Sequence, residues 1–446
     1  MKDLTKGFPA KVIIMFAIPL MIGNIAQQLY NITDSKIVSL YVSSSSLAAV
    51  GATAVITNLI IGLMNGLTQG FCIVISQYFG AKEMKKLRRF VFGIFVLTTV
   101  ISLALMISGL LLVEPLLGIL GTPADIMNDA VSYLNIILMG VMFSAFYNMS
   151  SNILRAIGDS KRPLYCLFVS IAVNVFLDLL FVRVFHWGIK GAAYATIIAQ
   201  LVSAILCTGI LFVKAKDVIP KKDEFDLKIF EYKKLMTFGL AMGMMACIVN
   251  IGTVILQTAI NGFGTVTLVA HTSARRVVDI LMIMVYTTGF AMTTYVSQNY
   301  GARKIDRIRQ GIIHAVIIDS IISTVIVIFT FAVGNNIVGW IASSQDPLVL
   351  QNGELYLKIS VMFFYVLGPL FIFRGSLQGM GAKTTPLVTS VIEMIIKILS
   401  VKFLVPRLGY LGVALTEPIS WVVMTIVLVA GVIMTLKKEM NGKNSF

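Results

Sequence analysis

The stretch SQYFGAKEMKKLRR (76–89) returns as SQNYGARKIDRIRQ (297–310), 221 residues further on. Each copy ends one long apolar run at its Ser-Gln side and starts another beyond its basic side. A glycine turn and a Lys/Arg cluster between two such runs read as a loop joining membrane spans. Working outward, ILRAIGDSKRPL (153–164) pairs with SLQGMGAKTTPL (376–387), and GIKGAAYA (188–195) with GYLGVALT (409–416), at nearly the same offset. The chain therefore reads as one six-span unit written twice. An even number of spans inserts both copies the same way round, related by an axis along the membrane normal. Two similar lobes of that kind can enclose a cavity that opens to alternate sides.

Composition agrees. The 446 residues are 57% hydrophobic and 13% charged, with a mean hydropathy of +0.90. Soluble domains carry about 25% charge. A soluble enzyme and a disordered chain are excluded, and an outer-membrane barrel, whose strands alternate residue by residue, is disfavoured. Apolar runs fall near 9–34, 46–78, 90–113, 130–154, 163–185, 189–213, 235–260, 266–299, 311–332, 350–380, 386–405 and 410–436. The expected fold is all-α and membrane-integral, with twelve transmembrane helices in two six-helix lobes. Residues 1–213 form the N-terminal lobe, 214–234 a polar cytoplasmic linker, and 235–446 the C-terminal lobe. Pro19, Pro369 and Pro418 lie inside spans and predict kinks.

The net charge of +15 belongs to topology rather than to nucleic-acid binding, because most Lys and Arg sit in alternate short loops. That asymmetry puts both termini in the cytoplasm and the chain in the plasma membrane. Lys2, Lys6 and Lys11 before a long apolar run resemble a signal peptide, but the run lacks a small-residue cleavage site, so it reads as an uncleaved first span. The four cysteines lie within apolar runs and imply no disulfide framework. There is no G-x-x-x-x-G-K-[ST] loop, no H-E-x-x-H and no clustered Cys/His spacing. An ATP-driven pump and a membrane protease are disfavoured. A non-enzymatic secondary transporter without a cofactor remains.

A carboxylate at the centre of a span costs ~2.5–3.5 kcal/mol on insertion scales, so acids there are functional candidates. They are Asp34, Asp178, Asp279, Asp319, Glu393 and Glu417, with Arg275, Arg276, Lys358, Arg374 and Lys397 as cationic companions. Arg275 and Asp279, and Glu393 and Lys397, are four apart and share a helix face, which suits a structural pair. Asp319 has no basic partner on its own helix. Asp178 has none before Arg183, and Asn174 shares its face. Counting depth from the loops brings Asp34, Tyr133, Asn174, Asp178 and Thr196 to one level of the N-terminal lobe. By the repeat offset Asp178 answers to Leu399, Asn174 to Ile395 and Thr196 to Glu417, so only one lobe keeps this set. Two carboxylates in a low-dielectric site repel, and burial disfavours their charge. A proton, Na⁺ or a cationic substrate relieves the pair. Asp, Asn and Thr supply the all-oxygen ligands a hard cation prefers. Ligands that exclude one another and stabilise different states give antiport.

At these residues the sequence resembles the multidrug and toxic compound extrusion (MATE) family, nearest its DinF-like branch. The resemblance spans about 12 to 436. It is carried by QQLYNITDSKIVSL (27–40) with LAAVGA (47–52), SQYFGA (76–81), NILRAIGDSKRPL (152–164), NVFLDLLF (174–181) with GIKGAAYATIIAQ (188–200), SQNYGARKIDRIR (297–309), and RGSLQGMGAKTTPL (374–387) with GYLGVAL (409–415). It implies two six-helix lobes around a cleft and export of cationic or amphipathic small molecules against H⁺ or Na⁺. It also implies cation coupling at Asp34, Tyr133, Asn174, Asp178 and Thr196, with Asp34, Asn174, Asp178 and Thr196 as the ligands if the ion is Na⁺. One departure is span seven, GLAMGMMACIVNIG (239–252), which lacks the acid of NorM-like members and so favours coupling through the N-terminal lobe.

The substrate cavity is expected to use the polar run Gln27, Gln28, Tyr30 and Asn31, with Arg275, Glu393 and Glu417. Expected partners are the bilayer and small molecules, with no nucleic acid, and the chain is expected to act as a monomer. The alternative within transport is a flippase for a lipid-linked or amphipathic metabolite, which the basic residues Arg275, Arg276, Lys358 and Arg374 keep open. A major-facilitator transporter lacks the remaining motifs. An integral-membrane transferase would need an acid-pair metal motif or a catalytic histidine, and His186, His271 and His314 are scattered.

Overall fold

The computed structural model describes residues 3–42, 44–226, 228–342, 344 and 346–442. Among these there is no strand. The helices are α1 (Pro9–Tyr41), α2 (Ser44–Gly80), α3 (Met84–Ile119), α4 (Ala124–Met139), α5 (Val141–Ala156), α6 (Lys161–Asp178) and α7 (Gly188–Lys214), then α8 (Ile229–Asn261), α9 (Thr265–Gly301), α10 (Ile305–Ala342), α11 (Pro347–Met362), α12 (Phe364–Gly379), α13 (Thr384–Leu399), the short α14 (Val405–Leu408) and α15 (Tyr410–Met440). Nine described helical segments are long and apolar enough to cross a membrane, and two bent pairs, α4–α5 and α11–α12, do so jointly. With α13 these are the twelve segments that the apolar runs predict. This is a multi-pass membrane protein of the expected all-α class.

The repeat is visible in the backbone. Left-handed φ values recur at matched places: Lys82 (60°) with Arg303 (57°), and Gly188 (58°) with Gly409 (59°). A π-helical turn follows α6 at Leu179–Val184 and α13 at Ser400–Leu404. The α4–α5 pair bends by 40° at Gly140, and α11–α12 by 49° at Phe363. A Cβ at Gly140 would collide with the Ile197 side chain on α7, so glycine is required for that approach. These breaks do not coincide with Pro19, Pro369 or Pro418, each of which lies within a helix.

The chain forms two compact units, one containing Ile22–Ala246 and the other Asp3–Met21 with Cys247–Phe446. Thus α1 and α8 each give some turns to both. In the first unit, Gly66 and Gly70 of α2 meet the α8 backbone at Met242–Gly243 and Phe238–Gly239. In the second, Gly375 and Gly379 of α12 meet the α9 backbone at Gly289 and at Thr293 and Ser297. Small residues allow such backbone approach, which supplies packing where lipid offers no hydrophobic drive. Surfaces facing away are apolar, as on α10, where Ile317, Ile321, Val325 and Ile328 are exposed.

Polar straps close the ends. In the first unit, Arg88 on α3 donates from Nε (2.6 Å) and Nη2 (2.7 Å) to the two carboxylate oxygens of Glu224 in the linker. Arg89 donates to Glu231 at 2.9 Å. In the second unit, the N-terminal strap is held by Leu4 N–H donating to Gln298 Oε1 (3.0 Å) and Lys304 Nζ to the Thr5 carbonyl (2.9 Å). The Arg88 hydrogen bonds hold the Glu224 carboxyl down to about 2, against an ordinary 4.5. A lowered carboxyl pKa stabilises the strap fully above the ordinary value and loses that stabilisation as pH falls through the folded value. Amide protection around residues 216–224, corrected for the pH dependence of intrinsic exchange, is expected to hold at neutral pH and to fall between about pH 4.5 and 2. Corrected protection that is flat across this range would rule out the clasp.

Candidate functional site

The first unit gathers Tyr30 and Asp34 of α1, Tyr133 of α4, Asn174 and Asp178 of α6 and Thr196 of α7. Asn174 and Asp178 are four apart, so one face of α6 presents both, and both are buried. The hydrogen-bond network assigns the Asn174 amide orientation. Its nitrogen donates to Asp178 Oδ2 (2.6 Å) and to the Tyr30 hydroxyl (3.1 Å), and its oxygen accepts from the Thr196 backbone N–H (3.2 Å). The Asp34 and Asp178 carboxyls lie within hydrogen-bonding reach of each other, and Tyr30 and Tyr133 lie in the field of both. Asp34 Oδ1 and Asp178 Oδ1 are buried with no partner among the described residues. No described ion pair involves either acid. Arg183, the next cation along that segment, instead stacks over the Tyr41 ring, 5.6 Å from its centroid.

Local structure explains the placement. The π turn begins at the residue after Asp178, and such turns interrupt regular i→i−4 bonding and are frequent at functional sites. Tyr133 packs on the cluster of Ile136, Ile137 and Ala193, which fixes α4 against α7. The Thr196 hydroxyl donates to the Ala192 carbonyl of its own helix at 3.0 Å.

The five residues expected for cation coupling are therefore brought together. Tyr30, expected in the substrate cavity, belongs with them, and its position one turn before Asp34 is the signal for this. Gln27 Nε2 donates to Asn31 Oδ1 across one turn of α1 at 3.3 Å, while Gln28 is half-buried and Asn31 exposed. For a bound cation, the oxygens of Asp34 and Asp178 fit a hard ion, while the Asn174 oxygen faces the Thr196 N–H in this orientation. No third His, Cys, Asp or Glu joins them among the described residues.

The second unit uses corresponding positions differently. Arg275 on α9 donates from Nη1 to Glu417 Oε1 (2.7 Å) and to the Tyr356 hydroxyl (3.2 Å), and from Nε to Asp279 Oδ1 (2.8 Å). His271 Nδ1 and the Tyr410 hydroxyl are 3.2 Å apart. Glu393 accepts from Lys397 at 2.9 Å. Tyr356 precedes the α11–α12 break by as many residues as Tyr133 precedes the α4–α5 break. Sequence reasoning missed Tyr356 and Tyr410, although register measured from the breaks identifies Tyr356. In the second unit these acids are neutralised by cations, whereas in the first the acid pair is not.

Known proteins place this arrangement. A probable multidrug resistance protein, YpnP, of Bacillus subtilis is 27% identical over 88% of this chain and 87% of its own length. The multidrug export protein MepA of Staphylococcus aureus is 23% identical over 83% of this chain and 82% of its own. Among solved structures, the outward-facing conformation of a multidrug resistance MATE family transporter aligns with a TM-score of 0.91 at 24% identity, covering 99% of both chains. A MOP superfamily transporter from Pyrococcus furiosus, described as having a binding pocket of reverse polarity, aligns at 0.89 with 24% identity over 99% of this chain and 98% of its own. The MatE family model matches residues 19–180 and 241–401, one stretch in each repeat and most of the chain together, and the protein belongs to that family.

Proposed function

We propose that this chain is a secondary active multidrug exporter that moves cationic or amphipathic compounds outward in exchange for H⁺ or Na⁺, with the Asp34–Asp178 pair as the coupling site. The observation that carries this is two carboxyls, Asp178 buried and Asp34 partly buried, within reach of each other and with no counter-cation among the described residues. Such a pair binds one positive charge strongly, and it does so whether that charge is a proton, a sodium ion or an ammonium group on the substrate. Ion and substrate then compete, and each favours the conformation it binds best, which is alternating access driven by a gradient. The relatives' names support a drug substrate. The loop charges support an orientation with both termini cytoplasmic, in the plasma membrane where an exporter acts.

A flippase reading needs basic groups for an anionic headgroup. Arg275, Lys358 and Lys397 are already paired with acids. Arg374 carries this second reading, because its Nε and Nη2 are buried without a partner among the described residues. The test is uptake of a fluorescent cationic drug into reconstituted vesicles under an imposed pH gradient or an imposed Na⁺ gradient. Movement under one of them supports exchange and names the ion. Movement under neither, with lipid translocation instead, would establish the flippase.

A further inference from the structure

The buried face of α10 sets three polar residues, Asp319, Ser323 and Thr330, among apolar ones such as Ala315 and Ile326, and all three are at most 2% exposed. Both Asp319 carboxyl oxygens, Ser323 Oγ and Thr330 Oγ1 have no hydrogen-bond partner among the described residues. Asp319 points at Gly368 of α12 so closely that a Cβ there would overlap the carboxyl, and only glycine leaves room for it. Among the described residues no cation pairs with it. On α9, Tyr295 donates to the Arg307 carbonyl (2.9 Å) and Tyr286 packs on Phe290 and Phe371. On α12, the Tyr365 hydroxyl bonds to Thr324 (2.8 Å), and Arg374 lies beyond the next turn. Lys358 on α11 is paired with Glu354, and Glu417 on α15 with Arg275. On α10 itself His314 Nδ1 is engaged by the Gln310 carbonyl at 2.7 Å.

An ionised carboxylate in such a place is uncompensated, at a cost of several kcal/mol or more. A metal ion would need about four to six oxygen ligands, and no further acid, His or Cys completes such a set among the described residues. A proton needs one oxygen. We propose that Asp319 is a second proton-binding site, separate from the Asp34–Asp178 pair, which holds its proton while α10 and α12 are closed around it and exchanges it when that contact opens. The proposal rests on the transport reading for its role in the cycle, but not for the site itself. When the contact is closed the carboxyl is neutral and out of reach of water. When it opens, water reaches the group and the carboxylate becomes tolerable. The exporter would then move at least one proton beyond those carried by the first unit.

The test has two arms. Infrared spectroscopy of the purified protein in lipid, titrated with pH, reads the carbonyl band of a protonated aspartic acid in wild type and in Asp319→Asn. The proton-to-drug ratio in vesicles reads its role. A band that titrates in wild type, is missing from D319N, and goes with a lower ratio and a shifted pH profile in D319N is the expected result. No such band in wild type, or a band that persists at every pH with D319N transporting at an unchanged ratio, would overturn it. Should D319N not fold, Asp319→Ser, smaller and neutral beside Gly368, takes its place. Absence of drug movement in wild type under any gradient would sink the transport reading, and the infrared arm would still decide the site.

Discussion

Asp178→Asn is expected to bring gradient-driven drug movement down at least about tenfold, toward the leak of empty vesicles, while the protein folds and binds lipid as before. Tenfold corresponds to ~1.4 kcal/mol of lost differential affinity. The reasoning is electrostatic. Asp178 is fully buried, touches Asp34, and takes its fixed orientation from the Asn174 amide at 2.6 Å. An amide at 178 preserves the volume and leaves a single carboxyl, which binds one charge without the repulsion that makes the pair eager for it. Ion binding then no longer discriminates between conformations, and a ligand without differential affinity shifts nothing. Thr196→Val is expected to cost far less, because that hydroxyl already donates to Ala192. Parallel uptake assays of the two variants check the order. Full activity in D178N would keep a transporter but move the coupling site elsewhere.

Glu417→Ala is expected to be the most destabilising single change in the second unit. Glu417 lies 2.7 Å from Arg275 and accepts from Tyr356 at 3.3 Å. Removing one partner of a buried pair leaves the other uncompensated, at about 3–5 kcal/mol. Asp279 still holds Arg275 Nε at 2.8 Å, which sets the lower end, about 3 kcal/mol. For a cooperative unit of this size each kcal/mol moves the melting temperature by ~2–4 °C, so a fall on the order of 6–12 °C is expected in detergent-purified protein. Arg275→Met with Glu417→Met and Asp279→Asn together should recover much of it, since Asp279 also pairs with Arg275 and the triple change leaves no charge unpaired. An unchanged melting temperature in the single variant would show that Asp279 alone satisfies the guanidinium.

Much of this was readable from residues, and the reasons are specific. The twelve segments follow from run length alone, because helices that face lipid must be apolar over most of their surface. The acid cluster followed from depth counting, because Asp34, Asp178 and Thr196 sit at calculable distances from charged loops. The bends did not follow. A proline marks a missing hydrogen bond, but the two breaks fall at Gly140 and Phe363. At Gly140 the chain passes close against the Ile197 side chain on α7, a tertiary neighbour invisible in the local sequence. The π turns after Asp178 and Leu399 were equally silent, since an extra residue per turn leaves composition unchanged. Asp319 was visible as an unpaired acid, but its seat against Gly368 required the packing of α10 on α12.

The sharing of α1 between units bears on how the protein is made. The segment Asp3–Met21 belongs with Cys247–Phe446. Leu4 and Thr5 wait for Gln298 and Lys304, nearly three hundred residues later. Until those arrive, the strap lacks these hydrogen-bond partners. Nor can the chain be divided at its linker into two self-sufficient halves, since each half would carry off turns that the other needs. The ribosome delivers the repeats in succession, but neither unit is complete until the first repeat has contributed to the second and the second has returned Ile229–Ala246 to the first.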